Sequence, residues 1–164
     1  MSDNDVTIDT NVFEHLFNPQ NNEDQHIDKL LQCLFGRRSV LCLDQGGRIS
    51  GEYDHRLRPL FKRDDQDQKL YLLRYFLLLS EPHKITVNFG DALMVSIRGR
   101  IGNAEPSDHI FVYVAIASDS ILVSNDAGHI TDHRNQLRTC RPRRCKTVDF
   151  VSSIVAGPLM GCDN

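Results

Sequence analysis

The chain has 164 residues, 40% hydrophobic and 25% charged, with a formal net charge of -3. That is an ordinary globular composition, large enough to bury a core without staples, so one domain over residues 1–164 is expected. The charge excludes a generally basic nucleic-acid coat but leaves room for a local basic patch.

Five cysteines (Cys33, Cys42, Cys140, Cys145 and Cys162), odd in number and scattered, suit reduced thiols better than a disulfide framework. The N-terminus is acidic and polar, without the apolar core of a signal peptide, and the apolar runs are too short to span a bilayer. A cytoplasmic protein with no membrane segment is expected.

Val6-Thr7-Ile8 reads as a strand that runs straight into Asp9-Thr10-Asn11. Asp9 therefore stands at a strand end, placed either to cap the helix that follows or to face a ligand. Residues 14–22 are polar and contain Pro19, so a helix begun at Asn11 is short. Ile27, Leu30, Leu31 and Leu34 fall at helical spacing, with Gly36 as a natural stop. Residues 39–43 form a short apolar run, expected as a strand buried on both faces, and residues 44–48 read as a turn. A helix can run from Ile49 to Leu57.

Leu70 to Leu79 is apolar nearly all round and predicts a helix in the interior. Met94-Val95-Ser96-Ile97 is expected to be a strand, and residues 99–107 a loop. Asp108 opens a largely apolar helix over residues 110–117, with Ser107 as its candidate N-cap. Ile121-Leu122-Val123-Ser124 predicts a strand ending at Asn125-Asp126. A short helix over residues 131–137, an edge strand at Thr147-Val148 and a last helical turn over residues 150–155 complete the reading. Strands and helices alternate without hairpin signals, which predicts an α/β fold, a three-layer α/β/α sandwich around a mainly parallel sheet.

In a parallel sheet all strand ends face one edge, and the returning helices start there too. Asp9, Asp108 and Asp126 can therefore converge from distant parts of the chain, with Glu52 on the element after the second strand. Such acids repel one another unless a cation neutralises them, and Mg2+ or Mn2+ held by a few carboxylates is the usual solution. Sites of that kind typically serve phosphodiester hydrolysis.

Ile8-Asp9-Thr10-Asn11-Val12, then Glu52-Tyr53, then Asp108 heading an apolar helix, then Val123-Ser124-Asn125-Asp126 resemble, in this order, the PIN domain family. The resemblance covers roughly residues 6–155. It implies a metal-dependent endoribonuclease that takes Mg2+ or Mn2+ on Asp9, Glu52, Asp108 and Asp126. Asn11, Ser124 and Asn125 would orient carboxylates or water. The segment between Glu52 and Asp108 is longer than in small PIN toxins, and Glu105 is an alternative to Glu52 as a ligand. By the same resemblance, water attacks in line, products carry 5′-phosphate and 3′-hydroxyl ends, and the chain is a toxin held by an antitoxin-type protein partner, with a homodimer expected.

Two rivals are a PIN domain that binds RNA or protein without cutting, and a phosphatase of the haloacid dehalogenase type. The phosphatase needs a second aspartate two residues after the first, and this chain has Asn11 there.

Arg138, Arg141, Arg143, Arg144 and Lys146 form the densest basic cluster and are candidates for contacts to RNA phosphates, against the plainer reading of a solvated loop. Arg56, Arg58, Lys62 and Arg63 sit among acids and are expected to form surface ion pairs. His129, His133, Cys140 and Cys145 give H-x3-H followed by C-x4-C, looser than the paired cysteines of structural zinc sites. His109 adjoins Asp108 but is expected to point elsewhere.

Overall fold

A computed structural model describes residues 5–17, 40–62, 68–125, 130, 133–140 and 146–149. The described elements are β1 (Val6–Ile8), α1 (Thr10–Leu16), β2 (Cys42–Asp44), α2 (Arg48–Phe61), α3 (Gln68–Leu79), β3 (His83–Ile85), α4 (Ala92–Arg100), α5 (Pro106–Ser118), β4 (Ile121–Ser124), α6 (Arg134–Leu137) and β5 (Lys146–Asp149). The expected helix over residues 27–36 and the last turn over residues 150–155 lie outside the described residues.

Every strand pairing among the described residues is parallel. β1 pairs β4, β4 pairs β5, and β2 pairs β3. A single parallel bridge between Val6 and Leu41, with the Val6 amide donating to the Val40 carbonyl at 2.9 Å, joins the two groups in the order β3-β2-β1-β4-β5. α2 lies on α3 and β2, while α5 lies on α4 and crosses β1, β2, β3 and β4, and the two meet where Tyr53 and Phe111 stand 6.3 Å apart between ring centres. The fold is α/β around a parallel sheet. β1 is buried along its whole length, as a central parallel strand must be.

Several expectations give way to local chemistry. Residues 94–97 are helical, in α4, not a strand. Asp91 caps that helix by accepting from the Met94 amide at 2.8 Å, and Leu93, Met94 and Ile97 bury one side of it. Four residues of mixed polarity fit either period, and the cap decides. Past α4, a Cβ on Gly102 would stand 2.8 Å from the Arg98 carbonyl oxygen, so only glycine lets the chain turn there.

The N-cap of α5 is Glu105, not Ser107. Pro106 follows it at the first helical position, and Asp108 accepts from the Glu105 amide at 3.0 Å. α5 is buried from His109 to Ile116, which explains its apolar circumference. His109 turns to the Ile101 carbonyl at 2.9 Å.

α3 is not an interior helix. Leu70, Leu73 and Phe76 face inward, while Tyr71, Leu72, Tyr75 and Leu78 are exposed, Leu78 to 71%. Hydrophobicity all round the helix hid a one-sided burial. Between this helix and α2 lies a cavity of about 590 Å³ with Leu41, Leu43, Phe61 and Leu77 in its wall.

The second strand begins later than residue 39 and includes Asp44, and β3, a half-exposed strand, gave no sequence signal. No described helix is long and apolar enough to cross a membrane.

Candidate functional site at the carboxyl edge of the sheet

In the order 3-2-1-4-5, the connections leave β1 and β4 in opposite directions, which opens a crevice at their carboxyl ends. Ile8 and Val123 are register partners, and the Asp9 amide donates to the Val123 carbonyl at 2.9 Å. Asp9 and Ser124 consequently emerge side by side at that crevice.

Asp9 is 4% exposed and Ser124 fully buried. The Ser124 hydroxyl donates to Asp9 Oδ2 at 2.8 Å. Asp9 also caps α1, but its Oδ1 accepts from the Asn11 amide at 3.3 Å, beyond the usual N–H···O range.

Asp44 provides the contrast. It ends β2 as Asp9 follows β1, and its carboxylate accepts from the Arg48 and Ile49 amides at 2.9 and 2.8 Å. Asp44 is spent on capping α2. Asp9 caps weakly and turns its other oxygen to a side chain of the neighbouring strand.

The residues beside Asp9 extend the cluster. Thr10 donates its hydroxyl to Glu52 Oε1 at 2.9 Å, tying α2 to the start of α1. Glu52 rides on a regular helix of 14 residues whose buried positions, Ile49, Tyr53 and Leu57, recur every four residues. Tyr53, next to Glu52, donates its hydroxyl to the Ile8 carbonyl and packs edge-on against Phe13 at 5.4 Å between ring centres. Burial, then the nearby charges of Asp9 and Glu52, push its phenol well above the ordinary value. It stays a neutral donor.

The Asn125 backbone amide donates to Asn11 Oδ1 at 3.1 Å, which locks the residue after β4 to the first turn of α1. Both polar atoms of the Asn125 side chain are buried and have no hydrogen-bond partner among the described residues.

Asp108 stands in the first turn of α5, bonded to its own cap, and Asp126 lies outside the described residues. Among the described residues, the carboxylates at this edge do not form a group of three with ligand atoms all within 4.8 Å of one another. Of the basic cluster, Arg138 is exposed, Lys146 opens β5, and Arg141, Arg143 and Arg144 lie outside the described residues. Arg58 pairs with Asp54 one helical turn away, and Arg56 reaches Glu14 at 3.8 Å, as expected of surface charges.

The donors gathered at the edge are carboxylate, amide and hydroxyl oxygens, the class that Mg2+ and Mn2+ take. The Asn125 side-chain amide, buried and without a partner among the described residues, adds further oxygen and nitrogen to this edge. The residues fit a hard cation in kind.

Three residues carry more of this arrangement than their sequence suggested. Thr10 reads as a plain turn residue, yet it holds Glu52. Tyr53 entered only as the neighbour of Glu52 in the quoted motif, and Asp44 only as part of a turn, yet one bonds the end of β1 with its hydroxyl and the other caps α2.

No model of a known protein family matches the chain. No curated protein matches it either. Among solved structures it is similar to the crystal structure of VapBC2 from Rickettsia felis bound to a DNA fragment from their promoter. The identity is 15% and the TM-score 0.45, over 88% of this chain and 99% of that one. What the site can do follows from its own side chains.

Proposed function

We propose that the protein is a metal-dependent endoribonuclease of the PIN type. Mg2+ or Mn2+ would be held at the carboxyl edge by Asp9, with Glu52, Asp108 and Asp126 as further ligands. The observation that carries this reading is the buried Asp9 carboxylate at the switch point, bonded to Ser124 and only loosely engaged as a cap. A cation bound there supplies water activation and neutralises charge on the scissile phosphate.

The chain's own residues do the rest. Ser124 fixes the Asp9 carboxylate and Thr10 fixes Glu52. Asn11 pins the Asn125 loop, and the neutral Tyr53 phenol seals the floor beneath the site. Glu52 is preferred to Glu105, since Glu105 is exposed and caps α5. Arg138, Arg141, Arg143, Arg144 and Lys146 would contact substrate phosphates. The toxin role, an antitoxin-type partner, a homodimer and a cytoplasmic setting belong to the same proposal through the family resemblance.

The spacing of the described carboxylates favours one other reading, a module that binds RNA or protein without cutting. Labelled single-stranded RNA and DNA, with a small phosphomonoester alongside, separate the two readings when incubated with Mn2+ or EDTA. Metal-dependent RNA cleavage supports the nuclease. Binding without cleavage supports the module. Hydrolysis of the phosphomonoester alone contradicts both and revives the phosphatase, which Asn11 disfavours because an amide cannot serve as the acid-base that chemistry needs.

A further inference from the structure

The opposite edge of the sheet carries a second, chemically different cluster. Asp5 precedes β1, Cys42 opens β2 and His83 opens β3, so three neighbouring parallel strands each bring one residue to the amino-terminal edge. One ligand atom from each lies within 4.8 Å of both others. Asp5 Oδ2 and His83 Nδ1 are 3.4 Å apart. Four extended residues, roughly 13 Å, separate Asp5 from Asp9, so this cluster is independent of the carboxyl edge.

We propose that Asp5, Cys42 and His83 form a zinc site. The donor set is one carboxylate oxygen, one thiolate and one imidazole nitrogen, the mixture that selects Zn2+ over Mg2+ or Mn2+. Tetrahedral bonds of zinc to oxygen and nitrogen put those two atoms about 3.3 Å apart. The Asp5–His83 spacing already has that value within a tenth of an ångström. Zinc sites with three protein ligands keep a fourth position for water, and the His83 side chain, half exposed, gives access to it.

The surroundings fit a bound thiolate. The Ser118 and Ser120 hydroxyls lie beside the Cys42 sulfur and lower its thiol pKa, and Ser120 is in turn held by Thr7 and Ser118 at 2.7 and 2.8 Å. Burial, with a smaller push from the Asp5 charge, holds the Cys42 thiol above its ordinary value despite the hydroxyls, so zinc binding releases one proton from sulfur to solvent. The ligands also straddle the single bridge, Val6 to Leu41, that joins β2 to β1. A metal there clips the two halves of the sheet together.

The test uses the full chain, stripped with a chelator and titrated with Co2+ and then Zn2+. A thiolate-to-cobalt charge-transfer band with tetrahedral visible bands is expected, displaced by Zn2+, together with a zinc-dependent rise in Tm. Cys42→Ser and His83→Ala should abolish the band and weaken zinc binding by more than about a hundredfold, above the cost of losing an outer partner. Asp9→Asn should leave the thiolate-to-cobalt band unchanged, since that band needs only the Cys42 sulfur. If the buried Cys42→Ser variant does not fold, His83→Ala decides alone. No band in the unmodified protein, or a band that survives in either folded variant, overturns the site.

Discussion

Ser124 and Asp9, 115 residues apart in the chain, share a buried 2.8 Å hydrogen bond across β1 and β4. The bond has a charged acceptor and little water around it, so it belongs to the stronger class, at about 1.5–3 kcal/mol. Ser124→Ala should lower the unfolding free energy by that amount in urea titrations. It should also reduce metal-dependent cleavage by roughly 10–100-fold, as expected when an outer partner of a metal ligand is lost. A variant with full stability and full activity would remove Ser124 from the account.

Asp44 should behave differently although it too stands at a strand end. Its two short bonds to the amides of α2 are worth about 1–2 kcal/mol as a cap. Asp44→Ala is expected to cost that much stability while leaving metal binding at the carboxyl edge intact. Mn2+ titration beside urea unfolding checks both halves. Loss of metal binding in a folded Asp44→Ala protein would mean that Asp44 belongs to the site.

The Asp91–Tyr113 pair predicts an acid limb. The Tyr113 hydroxyl, donating at 2.6 Å, and then the Met94 amide hold the Asp91 carboxyl below its ordinary value of 3.8. A carboxyl depressed by folding stabilises the protein above its unfolded pKa. That stability is lost as pH falls through the lower folded value. The folded protein should therefore lose stability below about pH 4. Tyr113→Phe should flatten that part of the profile by a small amount, since Asp91 is solvated. Urea midpoints between neutral pH and the acid limit measure it, and identical acid slopes in both proteins would contradict it.

Arg100 ties α4 to the end of α6. Its guanidinium donates to the Gln136 carbonyl and to the Thr139 hydroxyl and carbonyl, each at 3.0 Å, while its remaining nitrogen holds Ser96. A lysine lacks this planar fork of donors. Arg100→Lys should cost about 1–3 kcal/mol and speed amide exchange over residues 133–140. Exchange unchanged in that segment would show that the fork is dispensable.

The sequence was most legible where two requirements coincide. Val6-Thr7-Ile8 and Ile121-Leu122-Val123 are short, buried on both faces and each end at a polar pair, so strand and site edge could be read together. It was least legible where one pattern fits two structures. Met94 to Ile97 matched either period until the Asp91 cap was visible, and α3 looked interior because exposed leucines and tyrosines carry no mark of their exposure. Thr10 and Glu52 are 42 residues apart, and only the fold reveals their bond. The Asp5, Cys42 and His83 cluster was invisible for the same reason, and doubly so because β3 was not foreseen. The looser H-x3-H and C-x4-C pattern is described only at His133 and Cys140, and these two belong to no metal-type group among the described residues.

The proposed nuclease depends above all on Asp9 as a metal ligand. Its most direct test is the single-turnover cleavage rate of a labelled RNA in Mn2+, measured for the unmodified protein and for Asp9→Asn with matched circular dichroism spectra. The account predicts cleavage that EDTA abolishes and that Asp9→Asn reduces by more than the roughly hundredfold an outer partner can cost. Equal rates in the two proteins, or a rate indifferent to EDTA, would contradict it.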